Sequence, residues 1–128
     1  RDQVEAAAAR LDNLTYVGWL ERGHLRGIID ESDLLVLPSR VEAFGTVALE
    51  AMVRGRLALV SPGCGIADWP ELADGLLVMD ARQSVTEALQ AVIAMPPSSL
   101  AARAQTARAR GAHMARQCID EWMALIAP

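Results

Sequence analysis

The chain alternates between short apolar runs and longer segments that mix apolar and polar residues. The apolar runs predict strands, at residues 14–17, 34–37, 57–60 and 76–79. Runs that are apolar throughout indicate strands buried on both faces, and helical segments between them favour parallel pairing. We therefore predict an α/β fold, a Rossmann-like parallel sheet with flanking helices.

Helical segments fill the intervals between these runs. The predicted helices cover residues 4–11, the segment around residues 25–29, residues 46–53, the segment after Ser84 to about Ala94, and residue 100 to about residue 118. Thr46, Ser84 and Ser99 are candidate N-caps, and Gly55 is a candidate helix stop. Met95-Pro96-Pro97 interrupts the pattern, so residues 96–128 are predicted to form a C-terminal helical tail.

Composition limits the function classes. The 128 residues suit one domain, 52% are hydrophobic, and no apolar run approaches the roughly 20 residues that cross a bilayer. The net charge of -4 argues against nucleic acid as a partner. All twelve basic residues are Arg, so no role that needs a lysine ammonium can be filled by this chain. Cys64 and Cys118 lack metal or redox spacing, so we expect a reducing, cytoplasmic location.

One stretch, SRVEAFGTVALEAMVRG at residues 39–55, follows the second predicted strand. Ligands of open parallel sheets collect at the carboxyl ends of the strands. A helix that begins near Thr46 would present its first-turn amides there and could hold a phosphate or diphosphate. Gly45 would let the backbone approach that anion. Glu42 lies in the loop and Glu50 just past the first turn, so both carboxylates can reach one ligand.

Carboxylates are poor partners for phosphate but good acceptors for paired hydroxyls. A diphosphate flanked by hydroxyl-rich rings matches both features, and this describes a nucleotide sugar. The alternative for each glutamate alone is ordinary: Glu42 as a solvated loop residue and Glu50 as a helix acid.

The same stretch resembles the signature of glycosyltransferase family 4, retaining enzymes of the GT-B fold. The matching residues are 35–39, Glu42, Phe44, Gly45, 50–52 and Gly55. Residues 16–19 resemble the strand and loop near the nucleobase, and Gly63, Gly65 and Ile66 resemble the glycine loop after the next strand. The similarity runs from about residue 13 to residue 79.

This resemblance implies a role for each matching residue. Glu42 would be the catalytic residue, contacting hydroxyls of the donor sugar near the reacting carbon, and Glu50 would bind the ribose hydroxyls. The other donor-binding residues implied are Ser39, Phe44, Gly45, Thr46, Gly18, Trp19, Gly63 and Gly65. Transfer would retain the anomeric configuration, with no metal and no cofactor beyond the nucleotide-sugar donor.

The chain departs from the family pattern at three places and lacks one part. Leu57 stands where the family usually has Pro, and Cys64-Gly65 stands where it has two glycines. In the family a glutamate follows the glycine loop, and Asp68 is the nearest match to it. The family holds the diphosphate with an Arg and a Lys from an earlier unit, and this chain contains no Lys. We therefore expect residues 1–128 to be the later part of a GT-B C-terminal, nucleotide-sugar-binding domain. Its beginning, and the N-terminal acceptor domain, would lie outside this sequence, and the isolated chain would be inactive.

Two rival functions stay open at this point: a GT-B nucleotide-sugar epimerase and a catalytically inactive glycosyltransferase-like binding module. A further hypothesis concerns the membrane. Four arginines accumulate between residues 88 and 119, where no acidic residue occurs, so the tail could touch the inner face of a membrane that carries a lipid-linked acceptor. A solvated helix face is the simpler interpretation.

Overall fold

The computed structural model describes residues 2–126, apart from the side chains of Arg22, Cys118, Ile119, Glu121, Trp122, Leu125 and Ile126. The helices are α1 (Asp2–Ala8), α2 (Arg22–Glu31), α3 (Thr46–Val53), α4 (Val85–Ile93) and α5 (Pro97–Ile126). The strands are β1 (Leu34–Leu37), β2 (Leu57–Val60) and β3 (Leu77–Val78), and two short 3-10 helices cover Gly65–Asp68 and Pro70–Leu72.

The strands form one parallel sheet in the order β1-β2-β3. Leu34 pairs with Leu57, and Leu59 pairs with Leu77. Each strand is reached from the previous one through a helix or helical turn, as parallel pairing requires. The predicted Rossmann-like α/β fold is confirmed.

The side chains of β2 divide the core into two clusters, because successive residues of a strand point to opposite faces. Ala58 and Val60 belong to the larger cluster, with residues of α3 and α5 such as Met52 and Ala107. Leu59 belongs to the smaller cluster, which Ala88 and Val92 of α4 complete. The sheet is therefore covered on both faces, and its four β2 residues are buried.

Helix α5 is anchored to the body of the domain by close contacts and by two of its arginines. A Cβ at Gly75 would lie 2.5 Å from Cα of Ala107, so only glycine allows this approach. Arg103 donates to the carbonyl oxygens of Asp74 and Leu76, and Arg110 pairs with the Asp74 carboxylate at 2.9 Å. These contacts give both arginines partners within the chain. Among residues 2–126, none of the helices combines the length and the apolar composition of a membrane span.

The strand predicted at residues 14–17 is wrong. The segment is not assigned to any strand, and Leu14, Tyr16 and Val17 are 36–51% exposed. A strand needs a neighbouring strand to accept its backbone hydrogen bonds, and no strand of the described residues lies beside this segment. Other bounds shift less: the first helix covers Asp2–Ala8, and the last strand is shortened to Leu77–Val78.

Two predicted N-caps are wrong and one is confirmed. Gly45, with φ +94°, occupies the N-cap position of α3, and Thr46 is its first helical residue. Helix α5 begins at Pro97, before Ser99, because proline is tolerated in the first turn where its missing N–H has no partner to lose. Ser84 caps α4 in a capping box: its hydroxyl accepts from the Glu87 amide, and Glu87 accepts from the Ser84 amide.

Candidate functional site

The loops that follow β1 and β2 are joined along the carboxyl edge of the sheet. The Glu42 amide donates to Gly63 at 3.0 Å, and the Gly65 amide donates to the Glu42 carbonyl at 2.9 Å. The Ile66 amide continues the series by donating to Phe44 at 2.7 Å. The pattern extends the parallel β1–β2 pairing beyond the strands, so it fixes the backbone of Glu42 at the edge where ligands of such sheets bind.

Gly63 and Gly65 make this approach of the loops possible. A Cβ at Gly63 would lie 2.3 Å from the Arg40 carbonyl oxygen, and one at Gly65 would lie 2.1 Å from that of Ala43. Both distances are shorter than any real contact of a Cβ atom. The two glycines therefore shape the first loop, and their predicted contact with a donor stays a prediction.

Cys64, between the two glycines, has a buried side chain. Its sulfur lies 3.4 Å from the Ser61 hydroxyl and 3.6 Å from the Leu37 carbonyl oxygen. The Ser61 hydroxyl also donates to the Ser39 carbonyl oxygen. Ser39 is thus held through its backbone at the mouth of the loop. Cys64 is a free thiol with no exposed surface, whereas the side chain of Cys118 lies outside the described residues.

The N-terminus of α3 carries no side-chain cap. The Ala48 amide bonds to Gly45 at 2.8 Å, and the amides of Thr46 and Val47 have no protein acceptor among the described residues. Helix ends usually satisfy such amides with a cap, with water or with a ligand. The start of α3 can therefore accept an anion.

Phe44 packs on Trp69 rather than standing open at the loop. The two ring centroids are 5.6 Å apart and the planes meet at 83°, an edge-to-face arrangement. Phe44 also packs against the larger core cluster. Its ring therefore anchors the turn in which Gly45 adopts a positive φ.

Glu50 lines a cleft of about 280 Å³ between α2, α3 and α5. Thr46, one turn earlier on α3, lines the same cleft because residues four apart share a helix face. The Arg26 Nε donates to Glu50 Oε1 across the cleft at 3.4 Å, and the Glu50 side chain is 24% exposed. This places Glu50 beside the open N-terminus of α3.

Glu42 does not line this cleft. The residue is half-buried, its Cγ lies 3.7 Å from the position that a Cβ at Gly45 would take, and its carboxylate has no partner among the described residues. Both glutamates thus flank the start of α3. The prediction that they reach one ligand stays a prediction.

Gly18 and Trp19 line a separate, open cleft with Leu20, Glu21 and Leu25. Gly18 has a φ of +65°, and the Trp19 side chain is 97% exposed. An indole this exposed has no packing role in the described chain. Its predicted place beside a nucleobase stays a prediction.

A second ion pair lies beside the first. The Asp30 carboxylate accepts from Arg54 Nε at 2.6 Å and also from Arg54 Nη2. The hydrogen bonds from Arg54 hold the pKa of Asp30 below its usual value. In the described residues, no group of three or more His, Cys, Asp or Glu side chains is arranged to bind a metal ion.

Sequence reasoning missed Arg26, the basic residue nearest to Glu50 in the cleft. A signal was available: Arg26 and Asp30 are four residues apart, as are Glu50 and Arg54, with reversed order of charge. Two helices with such faces favour cross-helix ion pairs, although the sequence does not say that the two helices are neighbours.

The family model for glycosyl transferases group 1 matches residues 2–110. Among curated proteins, an uncharacterized 41.2 kDa protein in the cps region of Klebsiella pneumoniae is 38% identical over 69 residues, which are 53% of this chain and 18% of that protein. The uncharacterized glycosyltransferase YqgM of Bacillus subtilis (strain 168) is 30% identical over 86 residues, 62% of this chain and 24% of that protein.

The fold is similar to that of a solved sucrose-phosphate synthase from Thermosynechococcus elongatus. The TM-score is 0.72 at 24% identity, and the match covers 98% of this chain and 34% of the other. This chain therefore spans a quarter or less of the curated relatives and about a third of the solved structure.

Proposed function

Because the chain belongs to the glycosyl transferases group 1 family, of the GT-B type, we propose that it is the donor-binding part of a retaining glycosyltransferase. The donor would be a nucleotide-diphosphate sugar. The observation that supports this most is the uncapped start of α3, flanked by Glu42 and Glu50 at the carboxyl edge of the sheet. This arrangement offers amides to an anion and carboxylates to hydroxyls.

The start of α3 would hold the diphosphate. The amides of Thr46 and Val47 would donate to its oxygens, aided by the positive end of the helix dipole. In the reaction, the bond from the anomeric carbon to the diphosphate breaks and its electrons leave with the phosphate oxygen. These amides would stabilise that charge as it develops.

The two glutamates would bind the two sugar rings that lie on either side of the diphosphate. Glu50 would accept hydrogen bonds from the ribose, and Glu42 from hydroxyls of the donor sugar close to the anomeric carbon. The acceptor hydroxyl would form the new bond on the face that the diphosphate leaves, and would pass its proton to the departing phosphate oxygen. Each hydrogen bond to a carboxylate is worth about 1.5–3 kcal/mol.

In this proposal, a domain outside this chain binds the acceptor. Contact of α5 with a membrane that carries the acceptor stays a prediction, and so do the cytoplasmic location and the absence of a metal. Among the tail's arginines, Arg103 and Arg110 already have partners within the chain.

The test is made on the full-length protein. UDP-, GDP- and ADP-sugars are titrated by calorimetry, and the sugar that binds is incubated with candidate acceptor alcohols before NMR of the products. The proposal expects one donor to bind and its sugar to be transferred with the anomeric configuration retained. An inverted product, an epimerised free nucleotide sugar, or no binding of any donor would contradict it.

A further inference from the structure

Two ion pairs cross between α2 and α3, and each joins residues 24 apart in the chain. Arg26 and Asp30 lie one turn apart on α2; their partners are Glu50 on α3 and Arg54 at the C-cap of α3. The order of charge is therefore reversed between the two helices. The pairs share this design but differ in geometry.

The Asp30–Arg54 pair uses both oxygens of its carboxylate. Both oxygens of the Asp30 carboxylate accept from Arg54, one from Nε and one from Nη2, which is the fork geometry that arginine makes with a carboxylate. The Arg56 guanidinium also donates to the Asp30 carbonyl oxygen. This pair fixes α2 against the end of α3 without help from a ligand.

The Arg26–Glu50 pair is open. It consists of one bond of 3.4 Å, from Arg26 Nε to Glu50 Oε1. In the part of the chain that the structure describes, the second Glu50 oxygen and the two terminal nitrogens of Arg26 have no partner. The Arg26 side chain is 51% exposed, and both residues line the 280 Å³ cleft. The pair therefore presents an unused acceptor next to unused donors.

The chemistry of such a pair suits a ligand with two adjacent hydroxyls. An ionised carboxylate can only accept hydrogen bonds and a guanidinium can only donate them, whereas a hydroxyl can do both. One hydroxyl can donate to the free Glu50 oxygen while the oxygen of its neighbour accepts from Arg26. A carboxylate alone can accept from both hydroxyls but cannot donate to either hydroxyl oxygen, and the guanidinium adds that donor.

We propose that Arg26 and Glu50 together bind the vicinal diol of the donor's ribose, Glu50 as acceptor and Arg26 as donor. The inference rests on the proposed function, which supplies the ribose, and adds Arg26 as a binding residue. Arg26 also holds Glu50 through the Nε bond, so the acceptor is oriented before the nucleotide arrives. The diol would then supply hydrogen-bond partners to the second Glu50 oxygen and to a terminal nitrogen of Arg26, which have none in the described chain.

The experiment measures dissociation constants of the full-length protein for UDP, GDP and ADP and for their 2′-deoxy and 3′-deoxy counterparts. The ratio of deoxy to ribo dissociation constants reports contact with the diol, because a purely structural defect weakens both ligands alike. Arg26→Gln, Arg26→Lys and Glu50→Gln are compared with the parent protein. Arg82→Gln, at an exposed arginine in the loop before α4, controls for the lost charge.

The parent protein should prefer one ribonucleotide over a deoxy form by about tenfold or more, the effect of one hydrogen bond to a charged group. Arg26→Gln and Glu50→Gln should each lower that ratio at least threefold, Arg26→Lys should restore part of it, and Arg82→Gln should keep it. If Glu50→Gln lowers the ratio and both Arg26 variants keep it, the role of Arg26 is wrong while the proposed function stands. If the parent binds no nucleotide, both are wrong.

Discussion

Gly65 lies so close to Ala43 that a Cβ on residue 65 would stand 2.1 Å from the Ala43 carbonyl oxygen. The contact joins the loop after β2 to the loop after β1, beside the bond from the Gly65 amide to Glu42. The position of the Glu42 backbone therefore depends on a residue in another loop that has no side chain. This contact gives the glycine loop a role in shaping the site, in addition to any contact with a ligand.

Gly65→Ala should destabilise the chain by about 1–3 kcal/mol, because the added methyl group must push one loop away from the other. Urea unfolding measures the change. Gly27→Ala is the matched control: nothing lies within 4 Å of a Cβ at that helical position, so alanine should stabilise the chain by about 0.5–1 kcal/mol. A Gly65→Ala variant as stable as the parent would show that the two loops are not packed as described.

Ser84→Ala should lower the free energy of unfolding by about 0.5–2 kcal/mol, since the hydroxyl that accepts from the Glu87 amide is lost. Ser84→Asn is the control, because asparagine also caps helices and should keep most of the stability. Thermal unfolding followed by circular dichroism compares the two. Equal melting temperatures for the alanine variant and the parent would contradict the capping box.

Asp30→Asn should reduce stability in a way that depends on pH. The hydrogen bonds from Arg54 lower the pKa of Asp30 from its ordinary 3.8, so the unfolded state takes up a proton at higher pH than the folded state does. The stabilisation is complete above the unfolded-state pKa and is lost as the pH falls through the folded-state pKa.

Urea unfolding at neutral pH and at about pH 3 tests this sign. The Asp30→Asn variant should be less stable than the parent at neutral pH, and the difference should shrink at the lower pH. The Arg54→Gln variant should lose the same pH-dependent part of the free energy of unfolding, since it removes the arginine that pairs with Asp30. A difference that stays constant between the two pH values would contradict the assignment.

Local signals predicted β1, α3 and β2 with their bounds, and they placed the candidate site at the carboxyl edge of β1. Short apolar runs, and a helix bounded by glycines, can be recognised from a few neighbouring residues. The error at residues 14–17 has the opposite cause, since a strand exists only beside another strand and that information is not local.

The same reason explains what was missed at the site. The Arg26–Glu50 pair and the Gly65–Ala43 contact each join residues more than 20 positions apart, so they follow from how the elements pack. The N-cap of α3 was placed one residue late because the sequence FGT offers both a glycine and a threonine, and the positive φ there selects Gly45.

Whether Glu50 binds the donor nucleotide is tested by comparing the parent full-length protein with Glu50→Gln in calorimetric titrations with the nucleoside diphosphate that binds most tightly. Glu71→Gln, an exposed glutamate outside the site, makes the same change of charge as a control. Glu50→Gln should weaken binding about tenfold or more, since a hydrogen bond to a carboxylate is lost, while the control should bind like the parent. Unchanged affinity in Glu50→Gln would contradict the claim that this cleft holds the donor nucleotide.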